Sequence, residues 1–324
     1  MTATLTGFQP TGHLHVGNLF GAIRPIVAAQ RRTRPVVLLV DLHAMTMPHD
    51  PGQLRALTLE QATVLLAAGL DPERALLYVQ SQVSQHTELH YLLECTAAYG
   101  EAHRMIQFKE KSTGRAGVRL SLLTYPVLMA ADILLHATAE VPVGDDQRQH
   151  LELTRDMATR FNTRYGTTFV VPRMVKPPVA ARVLDLSEPT RKMGKSSGNG
   201  AGTVFVLDPP EVITRKVMRA VTDSVGTVEP DPDRPGVNNL LELLAACVDE
   251  SPAALAAGLS SYGELKRAVA EALVATLRPV QARYAELARD PGYVRRVLAE
   301  GAEQAREITV DMVDRTKRAI GLLT

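Results

Sequence analysis

The sequence predicts an α/β protein: a doubly wound parallel sheet with a smaller helical domain towards the C-terminal end. Three observations predict it. Strand-like and helix-like hydrophobic periods alternate over roughly the first 80 residues. A glycine-rich corner, GFQPTGHLHVGNLFGAI (7–23), joins the first strand to the first helix, and from about residue 240 the chain is Ala- and Leu-rich with helical spacing.

In chain order, TATLTG (2–7) and PVVLLVDLHA (35–44) read as strands. The second is apolar on both faces, as in a parallel strand covered by helices on either side. A helical stretch over 17–31, with Leu19, Ile23, Ile26 and Val27 on one face, makes the three a βαβ unit. The next helix has Asp50 as N-cap, Pro51 at its first position, Leu54, Leu57, Gln61, Val64 and Leu65 at helical spacing, and Gly69 as terminator. RALLYVQ (74–80) supplies another strand. In such sheets ligands sit beyond the C-terminal strand ends where strand order reverses, and residue 7 onward is such an end. Beyond about residue 170, VPRMVKPPVAAR and KSSGNGAG read as mobile connectors and EPDPDRPGVNN (229–239) as a loop. A last helix over 302–320 (Ala302, Ala305, Ile308, Thr309, Met312, Val313, Ile320) is placed to pack back on the larger domain. The predicted divisions are a Rossmann-like domain over 1–184, a helical domain over 185–290 and a returning helix over 291–324.

Composition narrows the function. With 36 basic and 35 acidic residues the net charge is +1, so any polyanion must be held by local patches. Two cysteines, Cys95 and Cys247, are too few for a disulfide framework or a tetrahedral zinc site, and a reducing cytoplasm fits. The longest clean apolar run is VVLLV (36–40), far short of the ~20 residues of a membrane span, and no secretory leader is visible. A soluble, non-exported protein is expected.

The opening corner has the form of a phosphate site: backbone N–H groups and the positive end of a helix, with small residues that admit a close ligand. His13 and His15 taken singly also read as surface or capping residues. Their spacing is more informative. Pro10, Thr11, Gly12, Leu14, His15, Gly17 and Asn18 form P-T-G-x-L-H-x-G-N, in which His15-Val16-Gly17-Asn18 resembles the HIGH signature of class I aminoacyl-tRNA synthetases. Downstream, RKMGKSSGN (191–199) resembles their KMSKS loop, although alone it also reads as a solvated basic segment. Lysines on such a loop suit a reaction that moves charge onto departing pyrophosphate.

The resemblance narrows to the bacterial-type tryptophanyl-tRNA synthetases and covers essentially the whole chain. It is carried by GEAHRMIQFKEKS (100–112), LLTYPVLMAADILLH (122–136), VPVGDDQRQHLELTRDMATRFN (141–162), AVTDSVGT (220–227) and LRPVQARY (277–284). An indole N–H only donates, so a tryptophan pocket needs one buried acceptor in an otherwise apolar wall. Asp132 in LMAADILL, with Met129 one turn earlier, fits that description; the alternative is an ordinary solvent-facing helix Asp. In the related tyrosyl family the first strand carries a Tyr, and TATLTGFQP contains none.

The resemblance implies that Gln9, Tyr125 and Gln147 bind the carboxylate and ammonium of tryptophan. It also implies that Val141 and Val143 line the indole slot, though both also read as strand core, and that His43 supports the pocket wall. ATP would be held by Gln9, Pro10, Thr11, Gly17 and Asn18, its nucleoside by Gly144, Asp145 and Asp146, and its adenine by the backbone of Val183. Lys111, Lys192 and Lys195 would meet the phosphates, with Met193, Gly194 and Ser196 in the same loop and His15 in the corner. Mg2+ would arrive with ATP, with no zinc and no protein nucleophile. The implied partners are tRNA(Trp), recognised by the helices of 185–290, and a second copy in a homodimer, with neither DNA nor membrane. Three positions depart from the common pattern: Leu5, Val127 and Gly194. A tyrosine-specific enzyme, or a catalytically weak protein sensing tryptophan or tRNA, remains open at this point.

Overall fold

The structure, a computed structural model, describes residues 4–114, 117–142, 144, 147–175, 183–194 and 200–324. Strand β1 (Leu5–Phe8) ends in the glycine-rich corner. The chain then winds through α1 (Val16–Asn18), a π-helical turn over Leu19–Ile23 and α2 (Arg24–Ala29), which bury Leu19, Phe20, Ile23 and Ile26. Strand β2 (Val36–Leu39) follows. The strand expected to continue to residue 44 stops there, because Asp41–Ala44 turn into a short helix, α3, with the Asp41 side chain accepting from the Leu42 and Ser81 amides.

Helix α4 (Pro51–Ala67) starts as predicted: the Asp50 side chain accepts from the Gln53 amide at 2.7 Å, and Gly69 closes the turn at φ +102°. Strand β3 (Leu76–Val79) is shorter than the RALLYVQ run, since Gln80 already belongs to a 3-10 turn over Gln80–Gln82. Next come α5 (Gln85–Glu94), α6 (Tyr99–His103), α7 (Ile106–Ser112) and α8 (Leu120–Leu135). After them come β4 (Glu140–Pro142), α9 (Arg148–Tyr165) and β5 (Arg173–Val175). The C-terminal part is helical: α10 (Pro210–Met218), α11 (Pro235–Val248), α12 (Pro252–Ala257), α13 (Tyr262–Leu287) and α14 (Pro291–Ala319). Residues 235–239, expected in a loop, form the first turn of α11, since Pro235 at its start has no N–H to leave unpaired.

Strands β1, β2 and β3 pair in parallel in that order, with Leu5 opposite Val36 and Val36 opposite Leu76. Strands β4 and β5 form a second parallel pair, and β4 lies beside β1. The spatial order 3-2-1-4-5 therefore reverses between β1 and β4, and the corner at Gly7 opens at that switch point. Both faces of the first sheet are buried. Val37, Leu39, Leu77 and Val79 join a core that continues into α4, α11 and α13. On the opposite face Val36, Leu38, Leu76 and Tyr78 pack with Ile133, Val141, Leu151, Ala302 and Ala305. No helix of the described residues is long and apolar enough to cross a membrane.

The last helix lies against β3; it extends over Pro291–Ala319, so the 302–320 pattern is only its second half, and Ile308, assigned to its packing face, is 52 % exposed. The packing face is instead set by Val294, Val297, Leu298, Gly301, Ala302, Ala305, Thr309, Met312 and Val313. Small residues fit because α14 lies against the backbone of the edge strand β3, where a Cβ on Gly301 would stand 1.9 Å from the Leu77 carbonyl oxygen. Covering that edge also removes a template for unwanted strand pairing.

Gly301→Ala is accordingly expected to destabilise the fold by about 1–3 kcal/mol through overpacking, overriding the ~1 kcal/mol that alanine gains in an open helix. Chemical denaturation measures this, and a midpoint at or above wild type would refute it. Gly263→Ala, whose Cβ would come no closer than 3.5 Å to Arg267, is the matched control.

Candidate active site

The corner is held from below and from the side. Gln61, fully buried on α4, donates from Nε2 to the carbonyls of Gln9 (3.2 Å) and Gly12 (2.7 Å). Sequence reading placed Gln61 on the apolar face of its helix; its burial is correct, and its role is to donate to the Gly12 carbonyl and to add a second donor to the Gln9 carbonyl, which also accepts from the Thr11 amide at 2.9 Å. From the side, the Val16 amide donates to the Val204 carbonyl (3.0 Å) and the Val206 amide to the Leu14 carbonyl (2.9 Å), making His15 and Phe205 an antiparallel bridge. His15 is buried, and the Asn18 side chain accepts from its amide at 3.1 Å. A Cβ on Gly17 would meet the His15 ring at 2.9 Å and Val183 at 3.5 Å, so this glycine is required for the close approach of corner and loop base. Pro10 is buried and Thr11 exposed at the mouth.

The lysine loop stands on a rigid base. Leu184 and Lys192 form an antiparallel bridge, the Met193 amide donates to the Val183 carbonyl at 3.1 Å, and the Met193 side chain is buried. Asn239 on α11 clamps this base, accepting from the Leu184 amide at 2.8 Å and donating to its carbonyl at 3.0 Å. The Gly194 carbonyl accepts from the Thr203 hydroxyl at 3.2 Å. Lys192 is exposed. Lys195 and Ser196 lie outside the described residues, as do Val143, Asp145 and Asp146. Lys111 falls on α7 with its side chain outside what is described.

The third group surrounds Asp132 on α8. Its carboxylate is buried, and three donors converge on it: Gln80 Nε2 and His86 Nδ1 on Oδ1, each at 2.7 Å, and His43 Nε2 on Oδ2 at 2.9 Å. Burial alone would push the carboxyl up; the hydrogen bonds from His43 and His86 outweigh it and hold Asp132 well below the usual carboxylate range. This corrects the picture of one acceptor in an apolar wall. The neighbours on α8 are apolar, but a charge at this depth requires donors, and these come from α3, the 3-10 turn and α5.

Around this carboxylate, Met129 is half-buried and Val141 is buried on β4. Tyr125 donates to Gln107 at 3.1 Å, lies 2.7 Å from His150 Nε2, and packs edge-on to His43. Burial and the nearby Glu110 push the Tyr125 phenol up to about 12, so it stays protonated as a donor. Gln147, half-buried at the start of α9, has its amide on the Gly144 carbonyl at 3.0 Å. Corner and pocket are linked through one residue: Gln9 Nε2 donates to the His43 carbonyl at 2.9 Å, while the His43 ring reaches Asp132. Leu5 and Val127 are buried side chains in the two cores flanking this region.

Sequence reading did not find Gln61's role, Gln80, His86, Tyr78, His136 or Asn239. The available signal was polarity inside apolar runs, as in LLYVQ, where Tyr78 and Gln80 interrupt a buried strand.

The family model for class I tRNA synthetases (W and Y) matches residues 1–278. The chain is 57 % identical to a tryptophan–tRNA ligase of Streptomyces coelicolor, covering 100 % of this chain and 98 % of the relative. Among solved structures, a tryptophanyl-tRNA synthetase from Mycoplasma pneumoniae superposes with a TM-score of 0.92 at 34 % identity, covering 100 % of this chain and 98 % of that one. A tryptophanyl-tRNA synthetase from Campylobacter jejuni, solved with ADP and tryptophan, superposes with a TM-score of 0.85 at 31 % identity, covering 99 % of this chain and 100 % of that one. With its glycine-rich corner at the switch point of a parallel sheet and its lysine loop beside it, the chain belongs to the class I tRNA synthetases of the tryptophan and tyrosine (W and Y) family.

Proposed function

We propose that this chain is a tryptophan–tRNA ligase, activating L-tryptophan with ATP and transferring it to tRNA(Trp). The observation that carries the choice of amino acid is Asp132: an ionised, buried carboxylate whose Oδ1 is filled by two donors while Oδ2 has one, leaving Oδ2 to accept an indole N–H. The relatives bearing that activity over their full length support the same reading.

In the first step the tryptophan carboxylate attacks the α-phosphorus of MgATP in line and pyrophosphate leaves. Mg2+ enters with the nucleotide. In the second, the terminal ribose hydroxyl of the tRNA takes the acyl group. No protein nucleophile takes part; the work is positioning and charge stabilisation. Gln9, Tyr125 and Gln147 orient the carboxylate and ammonium ends, while Met129, Val141 and Val143 flank the indole and His43 backs it. Gln9, Pro10, Thr11, Gly17 and Asn18, with His15 beside them, cradle the nucleotide. Gly144, Asp145 and Asp146 take the nucleoside, and Val183 offers backbone to adenine. Lys111, Lys192 and Lys195, with Met193, Gly194 and Ser196 in the loop, gather charge as pyrophosphate departs. The helices within 185–290 receive the anticodon.

The proposed assembly is a homodimer in the cytoplasm. Exposed Tyr91, Tyr99, Ile106 and Leu120 lie on α5, α6, α7 and α8, elements packed on one another, and a second copy would cover them. Sedimentation at micromolar concentration should give a dimer; a monomer there would remove this part of the reading.

ATP–pyrophosphate exchange with each standard amino acid tests specificity: exchange with tryptophan is expected, and exchange with tyrosine instead would move the assignment. In that assay Asp132→Asn should raise tryptophan KM roughly 5- to 150-fold, since an unmatched buried polar pair costs about 1–3 kcal/mol. ATP KM should change little, and equal losses for both substrates would make Asp132 structural.

The loop lysine acts mainly as pyrophosphate leaves, so its interaction strengthens in the transition state. Lys195→Ala should therefore lower the rate of adenylate formation about 10²–10³-fold with little change in ATP KM. Single-turnover adenylate formation at the wild-type rate would refute this role.

A further inference from the structure

Behind Asp132 lies a chain of polar groups running through His86 and Tyr78 to His136. Tyr78, wholly buried on β3, has its hydroxyl 2.9 Å from His86 Nε2 and 2.6 Å from His136 Nε2. His86, also wholly buried, carries the chain on to Asp132 Oδ1 through Nδ1 at 2.7 Å. The direction of the protons follows from counting. An ionised carboxylate can only accept, so His86 Nδ1 must hold a hydrogen and donate. The Tyr78 hydroxyl has one hydrogen for two imidazole nitrogens: it donates to His86 Nε2 when that nitrogen carries no hydrogen, and its oxygen accepts from His136 Nε2–H. Burial, with His86 close by, pushes His136 down to about 3, so it stays a neutral imidazole with one donor. Burial and the Asp132 charge push the Tyr78 phenol well up, so it keeps its proton.

Resting on the assignment of Asp132 as indole acceptor, we propose that Tyr78, His86 and His136 are positioning residues for tryptophan recognition. The Tyr78 hydroxyl holds the His86 ring at its far nitrogen, with Nδ1–H aimed at Asp132 Oδ1, and so keeps Oδ2 an acceptor aimed at the indole N–H. Without that hydroxyl, His86 Nε2 is left in the core with no partner there, and the ring is free to turn towards another. Oδ1 then loses a donor, and Asp132 is relieved by taking up a proton or by turning away; either change removes the acceptor the indole requires.

The consequence is specific to the indole N–H. Benzothienylalanine, in which sulfur replaces that N–H, fills the slot without donating, so the ratio of kcat/KM for tryptophan over this isostere reports the bond to Asp132. In ATP–pyrophosphate exchange with the full-length protein, Tyr78→Phe is expected to lower this ratio about tenfold. The fall should come through tryptophan KM, with kcat and ATP KM little changed. His86→Asn, which keeps an N–H donor where Nδ1 stood, should retain most of the ratio, and His86→Leu should lose it; that pair carries the test if Tyr78→Phe fails to fold. Equal losses for tryptophan and isostere, or an unchanged ratio, in a Tyr78→Phe protein whose Asp132→Asn counterpart loses the ratio would overturn the positioning role alone. A ratio insensitive to Asp132→Asn would overturn the reading of Asp132 and this proposal with it.

Discussion

Keeping a carboxylate charged inside a protein is the constraint from which much of this structure follows. Desolvating an ion at the depth of Asp132 costs several kcal/mol unless donors replace the lost water. Here the donors come from three separate elements: His43 from the helical turn after β2, Gln80 from the 3-10 turn after β3, and His86 from α5. Each must leave its strand or enter its helix at a fixed point for its side chain to arrive. The early ends of β2 and β3 are therefore tied to the pocket, and extending either strand by a turn would carry a donor away from the carboxylate.

A second constraint acts on the sheet. Strands that are apolar on both faces require covering layers on each side, and the chain meets this in two ways. One face is shared with the C-terminal helices, so a single core runs from Leu39 and Val79 through Val204 and Leu240 to Leu273. The other is closed by α8, α9 and α14, whose Gly301, Ala302 and Ala305 bring a helix down to the strand backbone. Arg34 donates to Gln304, Lys317 pairs with Glu88, and Arg315 reaches the Thr168 carbonyl at 3.0 Å, so polar contacts along the rim fix the helix in register. This places α14 directly behind Tyr78, which stands in the hydrogen-bonded chain between His86 and His136.

These two constraints explain which features the sequence made legible. Features set by a few neighbouring residues were readable: the Asp50 cap, the Gly69 stop, the βαβ alternation and the glycine corner each declare themselves within a turn or two. Features set by distant partners were not. DLHA has the composition of a strand end, and it becomes helical where Asp41 finds the Ser81 amide forty residues away. Ile308 has the right period for a packing face, yet the close approach at Gly301 selects a neighbouring stripe of α14. Asp132 was recognisable as a buried acceptor from its apolar neighbours, whereas its donors are scattered over residues 43, 80 and 86 and share no local pattern.

The same geometry bears on how two substrates are brought together. The nucleotide corner and the lysine loop are joined by backbone: Val16 to Val204, Val206 to Leu14, and Met193 to Val183. The corner and the amino-acid pocket are joined by side chains, with Gln9 on the His43 carbonyl and the His43 ring on Asp132. Backbone bridges resist shear, so the first junction holds the base of the lysine loop still. The second junction runs through one glutamine and one imidazole. In the proposed reading Gln9 meets both the amino-acid carboxylate and the nucleotide, so a tryptophan that shifts His43 would act on the residue that sets Gln9. On that reading, binding of one substrate would be expressed, through two hydrogen bonds, in the position of a group that the other requires.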